Sequence, residues 1–142
     1  MIELTLEMAE RAVKAAQARA QALGTPMTVT VVDEAGRLVL SARGDGTGFL
    51  TPETSRAKAT AAAAFRRSTA ELTSLGARGW GFWQVVPVVT QGQALPTLGG
   101  TPIAVGGRVV GGIGCGGGTG EQDQDCADVG AAAVTAPGAK TH

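Results

Sequence analysis

Hydrophobic positions along the chain follow two spacings, one typical of helices and one typical of strands. From residue 5 to residue 23 they recur every three or four residues, which predicts an amphipathic helix, and Gly24 then ends it. From Met27 to Val32 valines alternate with threonines, the period of a half-buried strand. Residues 33–36 predict a turn, and Arg37 to Ala42 predict a returning strand.

Two helices are predicted after this first hairpin. Thr51 has the character of a cap and precedes a proline, so we expect a helix that runs through an alanine-rich stretch to about Phe65. Ser68 and Glu71 have the spacing of a capping box and predict a short helix that Gly76 ends.

The middle of the chain predicts a loop followed by further strands. Residues 79–84 carry both tryptophans between glycines and are predicted to form a loop. Residues 85–90 predict a short strand, and Pro87 would confine it to a sheet edge. A second hairpin is predicted from residues 101–105 and 108–115, around a glycine pair suited to a tight turn.

The last helix is predicted from Gly120 to about Val134, because Thr119 and Gln122 repeat the capping-box spacing. We expect one domain over residues 1–135 and a flexible tail over residues 136–142. Two hairpins separated by helices indicate the α+β class, with one antiparallel sheet flanked by helices.

Composition narrows the classes of partner. The 142 residues include 12 basic and 12 acidic side chains without a basic cluster, so nucleic acid is not an expected partner. The apolar runs are too short to cross a bilayer, and the first residues do not form a secretion signal, so we expect a cytoplasmic protein. The single histidine, His142, and two cysteines without ligand spacing predict no metal site and two free thiols.

A glycine-rich segment precedes the last helix. Gly116, Gly117 and Gly118 leave backbone N–H groups uncovered next to the positive end of a helix, an arrangement that can hold a carboxylate, a phosphate or a developing oxyanion. The alternative is that these glycines only turn the chain.

Four segments together resemble the GlcG/HbpS-like family, which includes the C-terminal domain of PduO-type proteins. They are residues 29–46, 56–65, 99–114 and 117–130. The resemblance implies a central antiparallel sheet of about five strands in a profilin-like topology, with helices on both faces, and assembly into homo-oligomers. Some members of the family bind haem or corrinoids.

The chain departs from the family pattern at three places. Gly44 replaces a methionine, a potential thioether ligand, and Cys115–Gly117 replaces a serine-containing loop. Residues 79–87 are unusually aromatic. The first two changes disfavour a tetrapyrrole, so no cofactor is expected, with haem or corrinoid as a third alternative; the aromatic segment predicts a pocket particular to this chain.

Lys58 is the first candidate for catalysis. It lies on a helix of small apolar residues, and the resemblance places it near the pocket. A lysine there can anchor a carboxylate or donate a proton, whereas the alternative is a solvated side chain.

Asp45 and Glu121 are the other catalytic candidates. Asp45 is a candidate general base or partner for Lys58, although a carboxylate among glycines often only makes a turn. Arg43 can hold an acidic group of a substrate in bidentate fashion. Glu121 lies nearest the glycine-rich loop, while the acids after it suit the helix dipole alone.

The remaining candidates are expected to contact a ligand. Trp80, Phe82 and Trp83 form a hydrophobic lid, a subunit contact or both. Cys115 lacks a histidine base, so a buried small residue is the better interpretation than a nucleophile.

Two functions from different classes follow. The first is an oligomeric small-molecule-binding protein, with a pocket formed by the glycine-rich loop, the Lys58 helix and the aromatic loop. A carboxylate is one class of ligand that this pocket would suit. The alternative is a metal-independent isomerase, cyclase, hydratase or decarboxylase, in which Lys58, Asp45 and Glu121 transfer protons.

Overall fold

The computed structural model describes residues 3–79 and 81–135. Trp80 and the predicted flexible tail at 136–142 lie outside this part of the chain. The described helices are Leu6–Leu23 (α1), Thr51–Phe65 (α2), Thr69–Arg78 (α3), Phe82–Val89 (α4) and Gly120–Thr135 (α5). The described strands are Thr28–Asp33 (β1), Leu38–Ala42 (β2), Gly100–Val105 (β3) and Arg108–Gly116 (β4).

The strands form one antiparallel sheet in the order β2-β1-β4-β3. Helix α2 packs on one face, and α1 and α5 pack together on the other. This confirms the α+β class with helices on both faces. Within the described residues the sheet has four strands rather than the predicted five or so.

The prediction of an edge strand at residues 85–90 is wrong, because this segment belongs to α4. Trp83 and Val86, three residues apart, pack against Leu72 and its neighbours, so tertiary burial selects the helix. The Gln84 side chain accepts a hydrogen bond from the Gly81 N–H at 2.7 Å and thereby caps the helix start. Phe82 and Trp83 are therefore helical residues and not loop residues.

Local signals set most of the helix ends. Thr5 is the cap of α1 and not its first residue, whereas Gly24 ends the helix as predicted, in the left-handed conformation with φ 71°. Thr51 is the first residue of α2 and not its cap; the cap is Leu50, and the Thr51 hydroxyl instead bonds the Thr28 hydroxyl at 2.8 Å. Gly76 lies inside α3, which continues to Arg78.

Helix α2 lies unusually close to β4. A Cβ at Gly112 or Gly114 would overlap the backbone carbonyl oxygens of Ala59 and Ser55 on α2. On the other face, Ile113 reaches α5 at Gly130, where a Cβ would also collide with it. Strand β4 is thus held between two helices, and its small residues permit the approach. Among residues 3–79 and 81–135, no helix is both long and apolar enough to cross a membrane.

Candidate functional site

Lys58 lies at the buried centre of the molecule. Only 8% of its surface is exposed, since α2 carries small residues on either side of it and lies close to β4. Its Nζ donates to the Cys115 carbonyl oxygen at 3.0 Å and to Asp123 Oδ2 at 3.1 Å. The partner of Lys58 is therefore Asp123, in the first turn of α5, and not Asp45.

Asp123 links Lys58 to the glycine-rich loop. Its Oδ1 accepts a hydrogen bond from the Gly118 N–H at 2.9 Å, while Oδ2 faces Lys58. Burial raises the pKa of the Asp123 carboxyl above its ordinary value, and the Lys58 ammonium and the Gly118 N–H offset that rise only in part. The Gly118 amide is thus occupied by a carboxylate of the chain itself.

Sequence reasoning assigned Asp123 only to the helix dipole and so missed this role. A signal was present, because Asp123 lies three residues before Cys126 and four before Ala127, on the buried face of α5. An acidic residue on the apolar face of a helix requires a partner inside the protein.

A second cluster of buried polar groups surrounds Gln124, the residue that follows Asp123. Gln124 Oε1 accepts from the Gly99 N–H at 2.9 Å, and its Nε2 donates to the Gly100 carbonyl at 3.1 Å. The Thr69 hydroxyl accepts from the Gly100 N–H at 2.7 Å. These contacts fix the start of β3 against α3 and α5, and the sequence analysis did not single out either side chain.

A cavity of about 540 Å³ lies at the C-terminal end of α1. Its lining residues, which define the α1 cavity, are Gln17, Ala20, Gln21, Asp45 and the segment 24–27. Asp45 is exposed in the turn that joins β2 to α2, so the structure places this candidate on a cavity wall.

The glycine-rich loop packs directly behind that wall. Gly117, at φ 134°, lies so close that a Cβ would be 2.7 Å from the Pro26 carbonyl oxygen. A Cβ at Gly118 would be 3.2 Å from the Thr25 hydroxyl oxygen. Gly116 is buried at the end of β4. Gly117 and Gly118 therefore support the α1 cavity from behind, whereas Gly116 faces Thr51 and Thr54 of α2, and none of the three belongs to the lining.

The aromatic candidates Phe82 and Trp83 contact each other, with ring centroids 4.9 Å apart, and share neither cavity described here with Lys58 or the glycine-rich loop. Arg43 and Glu121 are exposed, and neither forms an ion pair with a described residue. Trp83 lines a separate cavity of about 460 Å³ between α3 and α4, and its ring centroid lies 4.9 Å from that of Phe65. Phe82 is 60% exposed beside it.

Cys115 is a buried thiol, as the sequence predicts. None of its surface is exposed, and burial raises the pKa of the thiol well above its ordinary value. Burial likewise raises the pKa of the Cys126 thiol to about 11. Both cysteines are free, and neither carries the thiolate that a nucleophile needs.

The chain resembles known proteins over nearly its full length. The family model for the Haem degrading protein HbpS-like family matches residues 4–132. An uncharacterized 15.0 kDa protein of Citrobacter freundii, from the dhaT-dhaS intergenic region, is 31% identical over 85% of this chain and 84% of its own length. The corrinoid adenosyltransferase PduO of the same organism is 29% identical over 99% of this chain but only 41% of its own length.

A solved structure shares the fold throughout. The protein in the crystal structure of the PduOC:heme complex is 29% identical in sequence to this chain. The match covers 99% of each chain and has a TM-score of 0.85. The antiparallel sheet between helical layers thus places the chain in a class of small α+β domains. This chain belongs to the HbpS-like family.

Proposed function

We propose that this chain is a small-molecule-binding domain that holds its ligand in the α1 cavity. The observation that carries the proposal is the position of Asp45 on a cavity of about 540 Å³, with the glycine-rich loop packed behind the wall. The buried Lys58–Asp123 pair fixes that loop through the Gly118 amide. A ligand site needs such a rigid support, because a mobile wall lowers affinity.

The relationship to a haem complex raises the question of whether haem fits here. Residues 3–79 and 81–135 include no histidine, and their two cysteines are fully buried. Met27 reaches the wall of the α1 cavity with only 3% of its surface exposed. The charged lining residue, Asp45, would repel the propionates of haem. The described side chains therefore do not suit haem in this cavity.

The proton-transfer alternative has weaker support. Lys58 is bonded to Asp123 and the Cys115 carbonyl, and it lines none of the cavities described above. Asp45 lines the α1 cavity, whereas Glu121 does not. Proton transfer among the three thus stays a prediction, and the geometry favours binding.

The proposal is tested by filling the α1 cavity. Gln21→Trp places a large side chain in the lining, and Ala22→Trp on the exposed surface of the same turn is the matched control. Protein purified from its own host is weighed by native and by denaturing mass spectrometry, and its visible spectrum is recorded. We expect a ligand mass on the wild type and on Ala22→Trp that Gln21→Trp loses.

Retention of the ligand by Gln21→Trp would place the site elsewhere and overturn the proposal. A Soret band on the wild type that survives in Gln21→Trp would identify haem at a different site. Turnover of the co-purified compound by the wild type would favour the enzymatic alternative.

The proposed domain also self-associates, an expectation supported by apolar side chains on the surface of α4. Four of them are exposed, namely Phe82, Val85, Val88 and Val89. Such a patch on a helix that packs chiefly against α3 suits a contact between subunits. Val88→Asp is expected to lower the mass found by light scattering after gel filtration, while Gln93→Asp leaves it unchanged. Cytoplasmic residence stays a prediction.

A further inference from the structure

The charge on the lining of the α1 cavity is negative. Among the described residues that line it, Asp45 alone is charged. The carboxylate stands in an exposed turn in which the Thr47 N–H donates to the Gly44 carbonyl oxygen at 3.3 Å. A ligand in the cavity therefore meets a fixed negative charge without a basic side chain in the same wall.

The end of α1 adds to this negative potential. The carbonyl ends of a helix carry a partial negative charge at its C-terminus, and that charge attracts cations. The last turn of α1 contains no basic residue that would compensate it. The Gly24 N–H turns back to the Ala20 and Gln21 carbonyls, so the chain reverses at the rim of the cavity.

The remaining lining residues offer hydrogen bonds above an apolar floor. Gln17 and Gln21, four residues apart on one face of α1, make no side-chain hydrogen bond to a described residue. Ala20 and Met27 are each 97% buried and close the floor, and the exposed ring of Pro26 supplies apolar contact beside them. The lining thus suits a molecule with an apolar body and a donor-bearing charged end.

We propose that the α1 cavity selects a small organic cation, an ammonium group attached to an apolar body. This inference rests on the proposed function and names its ligand class. The ammonium lies against Asp45 and the carbonyl end of α1, the apolar body covers Pro26, and the glutamine amides accept remaining N–H groups. A carboxylate in the same place meets a like charge and the wrong end of a helix dipole.

Arg43 does not offset the negative charge of the α1 cavity. It lies outside the cavity lining, so its charge does not face a ligand bound there. The carboxylate ligand expected from the sequence depended on Arg43, Lys58 and the N–H groups of the glycine-rich loop, of which the Gly118 N–H is occupied by Asp123. The structure places Lys58 in the interior against Asp123, so neither cation faces the α1 cavity.

The experiment compares three probes that share one aromatic body and differ in charge: phenethylammonium, phenethyl alcohol and phenylpropionate. Binding to the full chain is followed by nuclear magnetic resonance, through the backbone amides of Gly24, Thr25 and Gly46. We expect phenethylammonium to bind most tightly and phenylpropionate most weakly. Because Asp45 is exposed, Asp45→Asn should weaken the ammonium probe by about two- to fivefold, the range of an exposed ion pair.

Glu53→Gln, which removes an exposed carboxylate outside the cavity, serves as the control and should leave all three affinities unchanged. The inference is overturned if phenylpropionate or phenethyl alcohol binds these amides as tightly as phenethylammonium. It is equally overturned if no probe shifts the resonances of these amides at millimolar concentration, or if Asp45→Asn leaves the affinity for phenethylammonium unchanged. The proposed function is judged separately, by loss of the co-purified ligand in Gln21→Trp.

Discussion

Neutralising Asp123 should destabilise the protein far more than the same change two residues later. Asp123→Asn keeps an oxygen for the Gly118 N–H but leaves the Lys58 ammonium buried without its counter-charge. The side chains of this pair are only 10% and 6% exposed. Breaking one side of such a pair costs about 3 kcal/mol or more, because the remaining charge is desolvated and uncompensated.

Asp125→Asn is the matched control on the same helix. Asp125 pairs with Arg19 at 2.9 Å, but these side chains are 36% and 42% exposed. An exposed pair contributes little to stability, because water and salt screen it. For a chain of 142 residues, the loss at Asp123 corresponds to a decrease of roughly 10 °C in Tm.

Urea unfolding followed by far-ultraviolet circular dichroism measures both variants at neutral pH. The double variant Lys58→Met with Asp123→Asn should recover much of the lost stability, since it removes both charges. This recovery is expected because burial already raises the pKa of Asp123, so the intact pair adds little net stability. Equal unfolding free energies for Asp123→Asn and Asp125→Asn would refute the reasoning.

Three further predictions concern pH, backbone strain and thiol access. Carbon-13 titration should find the pKa of Asp123 above its ordinary value, because of burial, and that of Asp125 below, because of the Arg19 hydrogen bond. The stability contribution of Asp125 is therefore present above its unfolded pKa and lost as pH falls through its folded pKa; identical midpoints for the two carboxyls would contradict this. Gln91→Gly should raise the unfolding free energy by about 0.5–1 kcal/mol, because Gln91 has φ 56°, and Gln93→Gly in the same loop should not. Both buried cysteines should resist a thiol reagent until urea unfolds the chain, and rapid labelling of the native protein would contradict the burial.

Local signals in the sequence predict the long helices well. Thr5 and Gly24 bracket α1, and Thr119 with Gln122 opens α5, because each end is set by residues within one turn. The failure at residues 85–90 has a physical cause. A short apolar run has no period that distinguishes strand from helix, and its contacts with Leu72 and other residues distant in sequence decide.

The site was predictable only in part for the same reason. Lys58 stands out in the sequence as a charge on a helix of small residues, but its partner lies 65 residues away. Asp45 stands out among glycines, yet the cavity it lines is completed by the end of α1. Such pairings depend on how the layers pack, which single-sequence patterns do not specify.

The close contact between α2 and β4 has a consequence for conformational entropy. Alanine and glycine lose no side-chain rotamers on burial, so this layer becomes ordered at little side-chain entropy cost. The entropy cost falls on the backbone instead, since ordering each glycine of β4 costs about 0.5–1 kcal/mol more than ordering an alanine there. Strand β4, at the centre of the sheet, therefore has little tendency to form alone. We expect it to become ordered only once β1, β3 and α2 enclose it, with low φ-values in folding kinetics.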